Sequence, residues 1–176
     1  MDARRESEAA PVKERTTAER KSDRELVVTR NFNAPARIVF EAWTKPELFK
    51  RWWVPKSIGL NLLSCEMDVR VEGKYRLVFA ADPEPVAFFG RYLEVIPDSR
   101  LSWTNEESPD GNITTVTFEE IRGKTRVVVC DLYPSKEALD NAIASDSTGA
   151  FPEQFEQLDE LLAANLSPSE QESQAR

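Results

Sequence analysis

Apolar and polar positions alternate through most of this chain, and the period of the alternation changes three times. In residues 25–32, Leu26, Val28 and Phe32 fall on one face and Val27, Thr29 and Asn31 on the other, which predicts a strand with one better-buried side. From Asn31 to Pro55 the period is helical. Asn33 is placed to accept a hydrogen bond from an early backbone N–H, and Pro35 suits a first turn, so a helix is expected there with Ile38, Val39, Ala42 and Trp43 as its apolar face. Thr44-Lys45-Pro46-Glu47 then reads as a reciprocal capping box opening a second short helix that ends before Pro55.

Alternation returns in six successive segments. Leu63, Cys65, Met67 and Val69 share one parity; after a turn at 71–74, Tyr75, Leu77 and Phe79 share another. Two prolines make 82–85 a loop, and 86–96 is a long strand with Phe88, Gly90 and Tyr92 on one parity, where Gly90 signals a bend or a close approach. A short strand carries Trp103, a strong turn signal occupies 108–112, and 113–120 pairs with 125–133 across Arg122-Gly123-Lys124. Beyond Pro134, Ser135 caps a short helix, and 150–166 forms a longer one with Phe151, Phe155, Leu158, Leu161 and Leu162 on one stripe. The order implies an α+β fold: an antiparallel sheet of about seven strands curved around the long C-terminal helix, with two short helices after the first strand. Those two helices should close one end of the groove between helix and sheet.

Composition bounds this picture. A chain of 176 residues holds one domain with a real core and is short for two. Residues 1–24 intersperse basic and acidic side chains with almost no large apolar one, and 167–176 read SPSEQESQAR, so both are expected to be disordered tails flanking a domain at 25–166. The net charge of −8 falls almost entirely on the part between, which argues against a nucleic-acid partner. No apolar run is long enough to span a bilayer and no secretory h-region opens the chain, so a cytoplasmic protein without a membrane partner is expected. Cys65 and Cys130 sit in apolar strand patterns and read as reduced core thiols.

Several stretches resemble one family. The run 32–55, Phe-Asn-Ala-Pro-Ala-Arg-Ile-Val-Phe-Glu-Ala-Trp-Thr-Lys-Pro-Glu-Leu-Phe-Lys-Arg-Trp-Trp-Val-Pro, is similar to the signature of SRPBCC proteins related to the C-terminal domain of the heat-shock-protein-90 ATPase activator, within the START-like, birch-allergen-like superfamily. Residues 67–76 resemble that family's Asp-x-Arg-x-Gly-Gly-x-Tyr/Phe turn, Gly90-x-Tyr92-x-Glu94-Val95 its middle strand, and 157–162 its last helix. Two places depart from the pattern: Glu72 stands where Gly is usual, and Phe151-Pro152-Glu153-Gln154 where many relatives have Gly-Trp. The resemblance covers about residues 26–166. It implies a helix-grip fold around an apolar cavity, and transfers no activity, because the superfamily hosts carriers, cyclases, hydrolases and co-chaperone domains on one scaffold.

The chain contains no histidine, which removes Ser-His-Asp and Cys-His catalysis and the usual zinc sites. Its six glycines are isolated, so no phosphate loop is present, and neither cofactor nor metal is expected. Glu66, Asp68, Glu94 and Asp131 lie in or beside strands; one that faced a closed apolar groove would act as an acid or base, although a solvated or ion-paired role is commoner. Asp68 and Arg70 read as a turn-stabilising pair. The aromatic side chains carry the functional expectation. Trp43, Trp52, Trp53, Tyr75, Phe79, Phe88, Tyr92, Trp103, Phe151 and Phe155 are the candidate ligand-binding residues, able either to fill the groove or to line it. Tyr75, Arg91, Tyr92 and Trp103 could anchor a ligand by hydrogen bonds, and Trp52 and Trp53 should gate or plug its mouth. The leading expectation is a non-enzymatic or weakly enzymatic protein that holds a small apolar or amphipathic molecule. Two alternatives stay open: a module docking on a chaperone of the heat-shock-protein-90 type, which the resemblance implies, and an enzyme using a buried carboxylate such as Glu94.

Overall fold

The computed structural model describes residues 16–109, 111–144 and 151–165. Its framework is one antiparallel sheet in which consecutive strands are also spatial neighbours, except for the second and third. The strands are β1 (Thr17–Arg20), β2 (Glu25–Phe32), β3 (Leu62–Met67), β4 (Lys74–Phe79), β5 (Val86–Ile96), β6 (Arg100–Thr104), β7 (Ile113–Ile121) and β8 (Lys124–Leu132), in the spatial order β1-β2-β8-β7-β6-β5-β4-β3. The meander is therefore closed onto β2 by its last strand. Helices α1 (Ala36–Thr44) and α2 (Pro46–Trp52) follow β2, a 3-10 turn spans Lys56–Ile58, and α3 (Lys136–Ala144) and α4 (Phe151–Asn165) follow β8. The α+β, helix-grip expectation holds, with eight strands.

The extra strand departs from the expectation of a disordered tail at residues 17–20. Thr17–Arg20 pairs with β2 although all four of its side chains are exposed. Backbone pairing and Arg20 hold it, not apolar burial: Arg20 Nη1 reaches Asp140 Oδ1 of α3 at 2.6 Å and Nη2 donates to the Asp23 carbonyl at 2.9 Å. A hydrophobic pattern carries no trace of such an edge. Residues 1–15 and 167–176 lie outside the described residues.

The helix starts also differ from expectation. Asn33 does not cap α1; Pro35 occupies the N-cap position, and the first free N–H, of Ala36, is taken at 2.9 Å by Glu120 Oε1 from the end of β7. The capping box at Thr44 does not form either. The Thr44 hydroxyl donates back to the Phe40 carbonyl at 2.9 Å, and Lys45, extended because a proline follows it, opens α2 with no side-chain cap. Ser135 caps as expected, accepting from the Ala138 N–H at 3.0 Å, and Arg70 Nε meets Asp68 Oδ2 at 2.8 Å.

An aromatic hub joins the layers. Trp43 of α1 lies 4.8 Å from Trp52, 6.1 Å from Trp103, 6.0 Å from Phe118 and 6.3 Å from Phe155, centroid to centroid. Edge-on pairs of this kind add to the burial of their large apolar areas. The stripe of α4 closes over them, with Phe155, Leu158, Leu161 and Leu162 all buried. Two polar residues are buried beside that stripe. Gln157 Nε2 donates to the carbonyls of Trp52 and Val54 at 3.0 and 2.9 Å, and its Oε1 accepts from the Lys56 N–H at 2.9 Å. Gln154 Nε2 donates to the Trp53 carbonyl. The carbonyls that α2 leaves open at its C-terminus thus find their donors on α4. Outside this layer, Glu153 holds the Ser57 N–H and hydroxyl, and the exchange with Ser57 keeps its carboxyl below the usual range.

Gly90 marks a close approach, as its position in β5 suggested: a Cβ there would meet the Thr104 carbonyl oxygen at 2.0 Å. Glu72 adopts φ 71 at the turn before β4, the left-handed region that favours glycine.

Two stability changes follow. Glu72→Gly relieves the left-handed strain and raises stability by about 1 kcal/mol, read as an increased urea midpoint. Gln157→Leu leaves two carbonyls and one N–H without their partner and lowers stability by about 2–4 kcal/mol in the same assay.

Candidate functional site

The site is built by one row of residues running across four strands. On the core-facing side of the sheet, Tyr92 of β5 pairs with Trp103 of β6, Trp103 with Thr114 of β7, and Thr114 with Asp131 of β8. Directly opposite side chains in such pairs lie roughly 4.5–5.5 Å apart, so the row is continuous. The side of β8 that buries Val127 and Val129 buries Asp131 as well, at 8% exposure. A carboxylate therefore occupies a position whose neighbours along the strand are core valines.

Between this row, the short helices and α4 lies a cavity of about 590 Å³. Trp43, Phe49, Trp53, Leu77, Phe79 and Phe151 supply much of its apolar wall. The polar lining is connected. Asp131 Oδ1 accepts from Asn112 Nδ2 at 2.7 Å and from the Thr114 hydroxyl at 2.6 Å, and Asn105 Nδ2 donates to Thr114 Oγ1 at 3.1 Å. The Tyr75 hydroxyl donates to the Thr104 carbonyl at 2.7 Å and lies 3.3 Å from Asn105 Oδ1. Both donors to Asp131 thus fall on one oxygen; among the described residues no hydrogen bond reaches Oδ2. The indole N–H of Trp43, buried against the same cavity, likewise has no partner among them.

Burial pushes the Asp131 carboxyl up from 3.8 to about 6, against the lowering pull of its Thr114 and Asn112 hydrogen bonds. The same burial pushes Tyr133 up to about 12, with Asp131 adding to the effect, and raises Tyr75 and Tyr92 further. These phenols are hydrogen-bond donors at neutral pH. The thiols of Cys65 and Cys130 are raised chiefly by burial as well, which works against a thiolate nucleophile. Among the described residues, no group of three His, Cys, Asp or Glu side chains could hold a metal.

A family model described as Activator of Hsp90 ATPase homolog 1-like protein matches residues 33–163. The chain belongs to that family. Its fold recurs in solved structures: a Rhodobacter sphaeroides protein, 24% identical, superposes with a TM-score of 0.77 over 86% of this chain and 99% of its own. A Nitrosomonas europaea protein, 22% identical, gives 0.74 over 83% and 98%. A Staphylococcus epidermidis protein, 26% identical, gives 0.71 over 86% and 96%. No curated protein matches the chain significantly.

In this family member eight of the ten candidate aromatics line the cavity: Trp43, Trp53, Tyr75, Phe79, Phe88, Tyr92, Trp103 and Phe151. Two do not. Trp52 is fully buried with its indole N–H on the Ala42 carbonyl at 2.9 Å, and Phe155 is fully buried with its ring edge-on to Phe32 at 5.3 Å. Both belong to the packing of α1, α2, α4 and β2, so of the two adjacent tryptophans only Trp53, stacked on Phe49 at 4.7 Å, faces the cavity. Arg91 is exposed and lies 3.8 Å from Glu106, away from the cavity. Glu94 is half-buried, 3.1 Å from Arg100, and does not line the cavity. The buried carboxylate is Asp131, one of the four acidic candidates in the sequence, and the amides Asn105 and Asn112 around it carry no aromatic or acidic signature that would have marked them.

The Asp131 shift has a sign that can be tested. Below about pH 3 the carboxyl is protonated in folded and unfolded chains alike, and stability is unaffected by it. As pH rises towards 6 the unfolded chain releases the proton first, so stability falls, by about 3 kcal/mol once the folded form is also ionised. Asp131→Asn keeps an acceptor for Asn112 and Thr114 but does not titrate. In urea unfolding its stability relative to the natural chain should rise by about 3 kcal/mol between pH 3 and pH 7.5; a difference constant across that range contradicts a buried carboxylate.

Proposed function

We propose that this protein binds a small apolar or amphipathic molecule in the cavity between α4 and the sheet. One observation carries the reading: a cavity of about 590 Å³ with aromatic walls and a small, connected polar group, within the roughly 300–1,000 Å³ typical of small-molecule sites. An aromatic wall contributes affinity by removing apolar area from water, while the polar group orients what enters. Trp52 and Phe155, two of the rings large enough to fill the groove, pack outside it.

A role towards a chaperone draws only on the description of the family, and the cavity lends it no support. A cytoplasmic site of action fits the two free cysteines; no helix among the described residues is long and apolar enough to cross a membrane.

The neutral fluorophore N-phenyl-1-naphthylamine tests the reading. Its emission should rise and saturate at one molecule per chain, and Met67→Trp, which places a larger ring on the cavity wall, should weaken that binding at least tenfold while the chain stays folded. Absence of saturable binding, or binding indifferent to Met67→Trp, counts against it.

A further inference from the structure

The cavity carries acceptors for a charge it does not itself supply. Its charged lining residues are Asp131 and Glu107, and among the described residues neither lysine nor arginine joins them. Asp131 is 8% exposed and its two hydrogen bonds converge on Oδ1, so Oδ2 keeps its full acceptor capacity inside an apolar enclosure. A buried carboxylate is stabilised when a cation pairs with it, and one left alone is costly. Aromatic side chains share the cavity wall with it. Trp103 is two places from Asp131 along the cross-strand row, with Tyr92 beyond it, and Tyr133 follows two residues later on the chain. Such rings attract a cation within about 6 Å of their centres.

We infer that the molecule bound here is an alkyl- or arylalkylamine, its ammonium on Asp131 Oδ2 beside Trp103 and its apolar body against Trp43, Trp53 and Phe79. The inference rests on the ligand-binding reading above and narrows it, because two carboxylates repel the anionic head of a fatty acid. The charge pair is shielded from water, so its contribution exceeds that of a surface pair. Substituted ammonium groups without an N–H lose the hydrogen bond to Oδ2 and keep only the attraction to the rings.

Three probes of one shape decide the matter: 4-phenylbutylamine, 4-phenylbutanol and 4-phenylbutyrate, titrated calorimetrically into the full chain at pH 7.5 and physiological salt. The amine should bind at least tenfold tighter than the alcohol, and the carboxylate weaker than both. In Asp131→Asn the ratio of amine to alcohol affinity should fall to about one. Equal affinity for amine and alcohol in the natural chain overturns the amine assignment and leaves the apolar-ligand reading standing, with no variant needed. An advantage that survives Asp131→Asn also overturns it, since the cation then sits elsewhere. If none of the three binds, the ligand-binding reading falls and the amine assignment with it.

Discussion

The fold depends on a polar exchange inside an apolar contact: the side-chain amides of Gln154 and Gln157 on the carbonyls of Trp52, Trp53 and Val54. A helix C-terminus presents carbonyls without partners, and α2 ends where water is excluded. Donors must come from protein, and α4 brings them at positions adjacent to its apolar stripe. The consequence is geometric. An apolar stripe alone allows a helix to slide or sink until the space beneath it is filled, whereas hydrogen bonds to fixed backbone atoms set where α4 stops. With Glu153 also holding Ser57, three residues spaced along one side of the helix fasten it to the segment after α2. The cavity is what remains between a helix held there and the sheet.

On the sheet side a second constraint works through register. Trp103, Thr114 and Asp131 lie side by side because the β6–β7 and β7–β8 pairings place them so. The β7–β8 turn has Arg122 at φ 55 and Gly123 at φ 80, the two-residue geometry that matches strand twist and fixes pairing without slippage. One residue of slip would turn Asp131 outward and an apolar neighbour inward. Burying a carboxylate in this way destabilises the protein at neutral pH.

Much of this was legible in the sequence, for identifiable reasons. Period-two alternation located each strand of the meander, and the Leu158, Leu161, Leu162 stripe located α4, because burial imposes those periods directly. Trp43, Tyr92 and Trp103 were recognisable as cavity residues from parity and size. Trp52 and Phe155 were not separable from them: an aromatic that fills and one that lines have the same sequence signature, and only the seating of α4 distinguishes the two. Strand β1 was invisible because none of its side chains is buried. Asp131 could have been singled out, since it shares the parity of Val127 and Val129, and the Arg122-Gly123 turn puts it opposite Thr114. Its contact with Asn112 could not, because the loop between β6 and β7 sets that distance and follows no periodic rule.

The central claim is that a carboxylate lies buried, half satisfied, in the wall of an open apolar cavity. The carboxyl carbon shift of Asp131, followed by NMR across the acid range in the ligand-free chain, measures this directly. The structure predicts a titration midpoint near 6, and a midpoint at or below 4 would contradict it, placing the group in water or against a cation and removing the basis for a charged site in the cavity.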